Sequence, residues 1–196
     1  MERPVGGALA TRDLITAVAV GGGVLFIVSA QLAQRRALGR RGATIQTAGG
    51  LASLVPYFFP VPYVVIALRP GPEVVVPEAL QWLGIVLSAL GVVFSLWSIA
   101  TLGRHYDLVL EVHEGHELVR RGPYGLVRHP VYTGLGLHFA GVCLSTGNLL
   151  LIAGTLLVSY PAFYLRARAE ERLLRRQFGA EYEDYAREVP MLVPLP

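Results

Sequence analysis

The residues best suited to chemistry are concentrated in two short segments in the second half of the chain, residues 115–132 and 166–179. The first segment ends with Arg128, His129 and Pro130 close together. Proline forces extended backbone on the residue before it and favours the first turn of a helix. Arg128 and His129 are therefore predicted to lie at the positive end of a helix, which suits an anionic group. Taken singly, they are better explained structurally, with Arg128 as a contact to lipid phosphate and His129 as a turn cap.

The second segment carries charged residues at helical spacing. Arg166 and Glu170 are four residues apart, as are Glu171 and Arg175, so each pair is placed to form a salt bridge on a helix. On spacing alone this is a solvated surface helix. The adjacent carboxylates nevertheless lie close to the predicted membrane exit at Leu165, where a carboxylate could bind ribose hydroxyls or a sulfonium cation.

An apolar stripe accompanies these charges. Leu174, Phe178 and Tyr182 recur every four residues, which predicts a cytoplasmic amphipathic helix with one apolar stripe.

The composition requires a membrane setting for both segments. Hydrophobic residues make up 53% of the 196 residues, charged residues only 16%, and the mean hydropathy is +0.49. Soluble domains carry about 25% charged residues, and a chain this apolar is not disordered. The single cysteine, Cys143, excludes an internal disulfide and a cysteine-based zinc cluster. Phosphate-binding glycine motifs are absent, and neither segment is long enough for a βαβ unit.

Four stretches lack Asp, Glu and Arg: Leu14–Gln34, Gly42–Leu68, Ala79–Gly103 and Val131–Leu165. A helix crosses the hydrocarbon with about 20 residues, so each of the first three fits one crossing. The fourth is long enough for two crossings, and the turn formers of Ser145–Asn148 would close it into a helical hairpin. The expected fold is all-α and polytopic, with about five transmembrane helices.

The arginines fix an orientation. All 17 basic residues are arginine, and 14 of them fall after the first, third or fifth span. The positive-inside rule then places the N-terminus outside and the C-terminus in the cytoplasm. The predicted organisation is an N-terminal part of three transmembrane helices, residues 1–103, and a catalytic half, residues 104–196. This half contains the hairpin, residues 131–165, and the C-terminal cytoplasmic helix.

Five sequence elements follow one another in order over residues 103–190, about half of the chain. They are His116-x-Leu118-Val119-x-x-Gly122-x-Tyr124, Arg128-His129-Pro130-x-Tyr132, Glu170-Glu171-x-x-Leu174, Phe178-Gly179-x-x-Tyr182-x-x-Tyr185 and Val189-Pro190. In this order and spacing they resemble the isoprenylcysteine carboxyl methyltransferases. The first three spans match that family only in hydropathy.

The resemblance implies an integral membrane enzyme that transfers a methyl group from S-adenosylmethionine, with S-adenosylhomocysteine as the product. The acceptor would be lipid-like, by resemblance the carboxylate of an isoprenylated cysteine, and would enter from the bilayer. Arg128 and Glu171 would shape the reacting end, and Glu170 would bind the cofactor ribose. The other cofactor-binding positions implied by the motifs are His116, Leu118, Val119, Gly122, Tyr124, His129 and Tyr132.

The resemblance implies neither a metal nor a nucleic-acid partner. The all-arginine composition suggests a GC-rich bacterial genome, and hence a location in the bacterial inner membrane. Bacteria do not generally prenylate their own proteins. Phospholipid N-methylation and small-thiol S-methylation therefore remain alternative activities. An NADPH-dependent sterol-type reductase shares the Arg-His-Pro and Tyr-x-x-Tyr patterns, and a non-catalytic scaffold would explain each motif as packing. The oligomeric state stays open.

Overall fold

The structure, a computed structural model, describes residues 5–38, 44–47, 71–107, 111–113 and 117–194. These described residues include two short 3₁₀ turns, Gly103–His105 and Gly122–Gly125, and a π-helical turn, Thr155–Ser159. In chain order the elements are α1 (Val5–Leu38), β1 (Thr44–Thr47), α2 (Glu78–Leu102), β2 (Glu111–His113), α3 (Pro130–Thr146), α4 (Leu149–Gly154), α5 (Tyr160–Phe178) and α6 (Ala180–Glu188).

Three helices among the described residues are long and apolar enough to cross a membrane. They cover Asp13–Ala37, Glu78–Leu102 and the α4–α5 unit, Leu149–Phe178. The first and third predicted spans are thereby confirmed, and α3 with α4–α5 forms the predicted hairpin. The prediction of a polytopic helical membrane protein is correct.

The second predicted span, Gly42–Leu68, lies mostly outside the described residues. Its first part, Thr44–Thr47, is an extended strand that pairs antiparallel with β2, Glu111–His113. The prediction of helix was wrong for these four residues, because Thr44–Thr47 and β2 satisfy each other's backbone groups as a short ladder. This small sheet is also a departure from a purely α-helical fold.

Small residues bring α2 and α3 into close antiparallel contact. A Cβ on Gly91 would lie 2.5 Å from the carbonyl oxygen of Gly134, and a Cβ on Gly84 would lie 2.5 Å from that of Gly141. Only glycine permits backbones to approach this closely. Ser88 on α2 lies 2.8 Å from His138 Nδ1 on α3, and this buried hydrogen bond fixes the register.

The hairpin turn lies where the sequence predicts it. Gly147 adopts a left-handed conformation with φ of 62° and ends α3, and the side chain of Asn148 caps α4 by accepting two backbone N–H bonds. The segment before α2 packs on this turn, since Val74 N donates to Gly147 O at 3.0 Å and Leu149 N donates to Pro72 O at 2.9 Å. These contacts close the end of the bundle opposite the chemistry-bearing segments.

The predicted amphipathic helix is in fact two helices. α5 ends at Phe178, and Gly179 has φ of 53°, a conformation that a helix cannot continue through. Tyr182 consequently lies on α6 and is fully buried, while Leu174 lies on α5. The four-residue apolar spacing is present, but it continues across the helix break at Gly179.

The helix directions bring the two chemistry-bearing segments to one end of the bundle. Residues 29–37 of α1 lie beside residues 96–103 of α2, so these helices run parallel. α3 is antiparallel to α2 and α5 is antiparallel to α3, as the hydrogen bonds from Ser95 to Val131 and from Arg166 to Tyr132 show. The start of α3 and the middle of α5 therefore meet.

Candidate active site

An ion pair between Arg128 and Glu171 is the centre of the site. Nε of Arg128 donates to Oε1 of Glu171 at 2.7 Å, and the terminal nitrogen Nη2 lies 2.6 Å from the same oxygen. The Glu171 side chain is 1% exposed and that of Arg128 is 10% exposed. α3 begins at Pro130, so Arg128 lies two residues before the first residue of that helix. Two segments far apart in sequence are thus joined by buried opposite charges.

Arg128 also holds the end of the chain. Its Nη1 donates to the carbonyl oxygens of Ala186 at 2.8 Å and Val189 at 2.5 Å. We call residues 189–192 the C-terminal strap. The backbone of the strap pairs with the entry to α3, because Arg128 N donates to Pro190 O at 2.9 Å and His129 N donates to Met191 O at 3.0 Å. The strap therefore closes one side of the site.

His129 lies between the two carboxylates and is 5% exposed. Its Nδ1 is 3.2 Å from Oε2 of Glu170, and its Nε2 is 3.6 Å from Oε1 of Glu171. Burial lowers the pKa of His129, but the hydrogen bonds and negative charges of Glu170 and Glu171 outweigh it, so the pKa is raised above its ordinary value. The site therefore favours the imidazolium form.

A second buried network holds Glu170. The Tyr132 hydroxyl donates to Oε1 of Glu170 and accepts from Nε of Arg166 at 2.8 Å. Arg166 is 2% exposed, and its Nε lies 3.5 Å from the same Glu170 oxygen. Tyr132 is stacked between His129 and Phe163, with ring centroids 5.9 Å apart on each side. The Glu170 carboxylate is thus oriented by Tyr132, Arg166 and His129.

The structure corrects the prediction that the charged segment, residues 166–179, is a solvated surface helix. The pairs Arg166–Glu170 and Glu171–Arg175 form as the spacing predicts, at 3.5 Å and 3.3 Å. However, Arg166 and Glu171 are buried, so α5 is not a solvated surface helix along this face. Helical spacing identifies the partners within α5, but it carries no information about α3, which covers them.

The upstream segment is attached to α6. Tyr185 donates its hydroxyl proton to the carbonyl oxygen of Tyr124 at 2.7 Å, and the guanidinium of Arg120 lies 5.5 Å from the centre of the Tyr185 ring. Burial and then the negative charge of Glu170 raise the pKa of Tyr124 well above its ordinary range. Tyr124 therefore stays protonated and lies within the field of the carboxylate cluster.

The remaining predicted cofactor positions lie on the approach to Tyr124. Leu118 and Val119 are half-buried, and Gly122 is exposed with φ of 60°, a conformation that favours glycine. His116 lies outside the described residues. The structure thus brings five of the ten predicted site residues into contact in one cluster: Arg128, His129, Tyr132, Glu170 and Glu171. Tyr124 is held against α6 by Tyr185.

Sequence reasoning missed three contributors to the site. Tyr182 was interpreted as part of an apolar stripe, but it is fully buried beneath Arg175, whose guanidinium lies 5.6 Å from the ring centre. Arg166 was interpreted only as a salt-bridge partner on α5. The C-terminal strap was noted only as the Val189-Pro190 element, and its contacts with Arg128 and His129 were not predicted, because the strap contributes backbone carbonyl oxygens to them.

The fold and site define a polytopic helical membrane protein with a buried polar cluster where a helical hairpin meets the C-terminal helices. A sequence model described as phospholipid methyltransferase matches residues 79–181, just over half of the chain. The chain belongs to this family.

Individual relatives include isoprenylcysteine methyltransferases. A probable protein-S-isoprenylcysteine O-methyltransferase from Oryza sativa subsp. indica is 34% identical over 116 residues, which cover 58% of this chain and 61% of the relative. The nickel-cobalt-cadmium resistance protein NccN of Alcaligenes xylosoxydans is 36% identical over 101 residues, which cover 50% of this chain and 46% of that protein. The resemblance to the isoprenylcysteine methyltransferases is confirmed by such relatives.

A solved structure shares the fold. It is a eukaryotic intramembrane Ras methyltransferase, an isoprenylcysteine carboxyl methyltransferase, with a TM-score of 0.56 and 28% sequence identity. The match covers 74% of this chain and 48% of that one. The chain thus spans about half to three fifths of the length of the proteins that it matches.

Proposed function

We propose that the protein is an integral membrane methyltransferase that moves a methyl group from S-adenosylmethionine to a lipid-like acceptor. The observation that carries this proposal is the buried cluster in which Arg128, His129 and Tyr132 meet Glu170 and Glu171. The names of the relatives support methyl transfer. In this proposal residues 104–196 form the catalytic half, and residues 1–103 hold it in the bilayer.

The residues present fit the cofactor. Oε2 of Glu171 and Nε2 of His129 are buried and form no hydrogen bond among the described residues. Each of these atoms faces an opposite charge instead, from Arg175 at 3.3 Å and from Oε1 of Glu171 at 3.6 Å. Buried polar atoms whose hydrogen-bonding capacity is not used suit a ligand rich in polar groups. Two adjacent carboxylates also suit a ligand that carries a sulfonium cation.

Each residue has a distinct proposed role. Glu170, oriented by Tyr132 and Arg166, would accept hydrogen bonds from the ribose hydroxyls. His129 and Tyr132 would line the cofactor pocket. The remaining pocket residues would come from the upstream segment: His116, Leu118, Val119, Gly122 and Tyr124.

Arg128 and Glu171 would shape the reacting end through the geometry of their own pair. Nε, Nη1 and Nη2 of Arg128 are all engaged, by Glu171 and by carbonyl oxygens near the C-terminal strap. Arg128 would therefore act by holding Glu171 and the strap in position. A carboxylate fixed in this way cannot swing away when a ligand enters.

The proposed methyl transfer requires little of the protein besides positioning the methyl donor and the acceptor. S-adenosylmethionine supplies a methyl group already activated by the sulfonium, and a carboxylate or thiolate acceptor needs no general base. The chain would contribute in-line positioning and a site from which water is excluded. Burial of His129, Glu171 and Arg166 is consistent with such a dry site.

The acceptor has three candidates. By resemblance it is the carboxylate of an isoprenylated cysteine, the family model favours a phospholipid amine as the second candidate, and a small thiol is the third. We further propose a bacterial inner-membrane location with the N-terminus outside and the C-terminus in the cytoplasm, from the arginine distribution.

The test is methyl transfer by purified protein from labelled S-adenosylmethionine to farnesyl-cysteine, phosphatidylethanolamine and alkyl thiols. Labelled product with any of them supports a methyltransferase and identifies the acceptor class. A parallel thermal-shift measurement compares S-adenosylhomocysteine with NADPH. Stabilisation by NADPH alone, without labelled product, would replace the proposal with a reductase.

A further inference from the structure

One face of α5 is exposed along its length and changes from apolar to basic. Leu165 is 64% exposed, and Arg168, Arg172 and Arg176 follow it at spacings of three, four and four residues. At 100° per residue these four side chains lie on one face of the helix. Glu170 lies on the opposite side, so this face is separate from the candidate active site.

The three arginines have no partner in the part of the chain that the structure describes. Arg168, Arg172 and Arg176 form no salt bridge there, whereas the neighbouring Arg175 is paired with Glu171 and Glu183. Three like charges on adjacent turns of one helix repel one another, and an external anion removes that repulsion. We call these three residues the arginine stripe.

The arginine stripe lies at the depth of the lipid headgroups. The α4–α5 unit, Leu149–Phe178, has 30 residues and is therefore about 45 Å long. The hydrocarbon layer is about 30 Å thick, so about 20 residues of this unit fill it. Arg168 is the twentieth residue, and Arg172 and Arg176 lie about 6 and 12 Å further along the axis.

We propose that the arginine stripe binds the phosphate headgroups of anionic phospholipids in the leaflet where α5 leaves the bilayer. The exposed Leu165 side chain immediately before the stripe faces the acyl chains of those same lipids. Bound headgroups fix the depth and rotation of α5. Because Glu170 and Glu171 project from other faces of the same helix, lipid binding also holds these carboxylates against α3.

Native mass spectrometry of the full chain in neutral detergent tests the proposal with phosphatidylglycerol and phosphatidylcholine as probes. We expect several-fold tighter retention of phosphatidylglycerol. Near an anionic surface each arginine contributes about fivefold in affinity, so Arg172→Gln lowers phosphatidylglycerol affinity by roughly that factor. The triple variant R168Q/R172Q/R176Q loses at least about tenfold.

Arg187→Gln is the matched control, because Arg187 is an exposed arginine on α6 whose loss changes the net charge equally. It should leave lipid affinity unchanged, and an equal loss in both single variants would overturn the proposal. Inorganic phosphate at the same concentration should not displace the lipid; displacement would assign the stripe to free phosphate instead. The readout needs no methyl transfer, so it stands or fails separately from the proposed activity.

Discussion

Arg128 and Glu171 are 43 residues apart in sequence, yet two nitrogens of the guanidinium meet one carboxylate oxygen, at 2.7 Å and 2.6 Å. The pair joins the start of α3 to the middle of α5 inside the protein. Removing one member of a buried pair leaves an uncompensated charge, which costs far more than removing both.

Arg128→Met is expected to destabilise the fold by up to about 3–5 kcal/mol, since the buried Glu171 then keeps only Arg175 and His129 as counter-charges. The double variant R128M/E171Q should recover a large part of that loss. Chemical unfolding in detergent measures both. If the double variant is as unstable as the sum of the single variants, the two side chains are not coupled and the pair does not organise the site.

Glu170→Gln should weaken binding of S-adenosylhomocysteine about ten- to a hundredfold, because hydrogen bonds to a charged acceptor are lost. Methyl transfer should fall in parallel. Calorimetric titration of the purified protein gives the affinity directly. Glu188→Gln, an exposed carboxylate on α6, is the control and should bind as the unaltered protein does. Equal affinities for all three proteins would remove Glu170 from the cofactor site.

Tyr132→Phe deletes the hydroxyl that links Arg166 to Glu170. The buried polar groups left behind cost about 1–3 kcal/mol in stability, and cofactor affinity should also decrease. Tyr164→Phe makes the same chemical change at a tyrosine that is 49% exposed, and should have little effect. Thermal unfolding with and without S-adenosylhomocysteine separates the two effects. A Tyr132 variant indistinguishable from the Tyr164 variant would argue against the network.

The raised pKa of His129 gives stability a definite pH dependence. The folded state favours the imidazolium, so this contribution is fully present below the unfolded pKa of about 6.5. It is lost as the pH rises from there through the folded pKa. Melting temperature should thus decline over this window, and His129→Gln should flatten the decline. An unchanged slope in the variant would assign the dependence to another group.

Gly134→Ala should strongly destabilise the α2–α3 contact, since its Cβ would lie 2.6 Å from the carbonyl oxygen of Gly91. Gly21→Ala is a matched change, because a Cβ there meets no atom within 4 Å. Alanine favours helix over glycine by about 1 kcal/mol, so Gly21→Ala should be neutral or slightly stabilising. Melting temperatures in detergent decide the point. Similar effects at both positions would contradict the close packing of α2 on α3.

Local signals account for the parts of the fold that the sequence predicts correctly. Pro130 starts α3, and Gly147 with Asn148 forms the hairpin turn, because these residues act on their own backbone. The break at Gly179 was missed because the apolar spacing of Leu174, Phe178 and Tyr182 continues across it. A period of four residues does not report whether the helix between them is continuous.

The five side chains that meet at the carboxylates were named from the sequence as candidate site residues, whereas their burial was not predicted. Arg128, His129 and Glu170 were found from motif order, and the structure brings them together. That Arg166 and Glu171 are buried depends on which helix covers α5, and helical spacing contains no such information. The C-terminal strap depends on backbone hydrogen bonds, which any sequence without proline at the donor positions can form.

The C-terminal strap also has a consequence for biosynthesis. Backbone amides of Arg128 and His129 find their acceptors only in Pro190 and Met191, which are translated some sixty residues later. While the translocon inserts α3 and α5, these two amides lack their native acceptors, because Pro190 and Met191 have not yet left the ribosome. A chain that ends before residue 189 would therefore have helices that can enter the bilayer but a candidate active site that lacks one side.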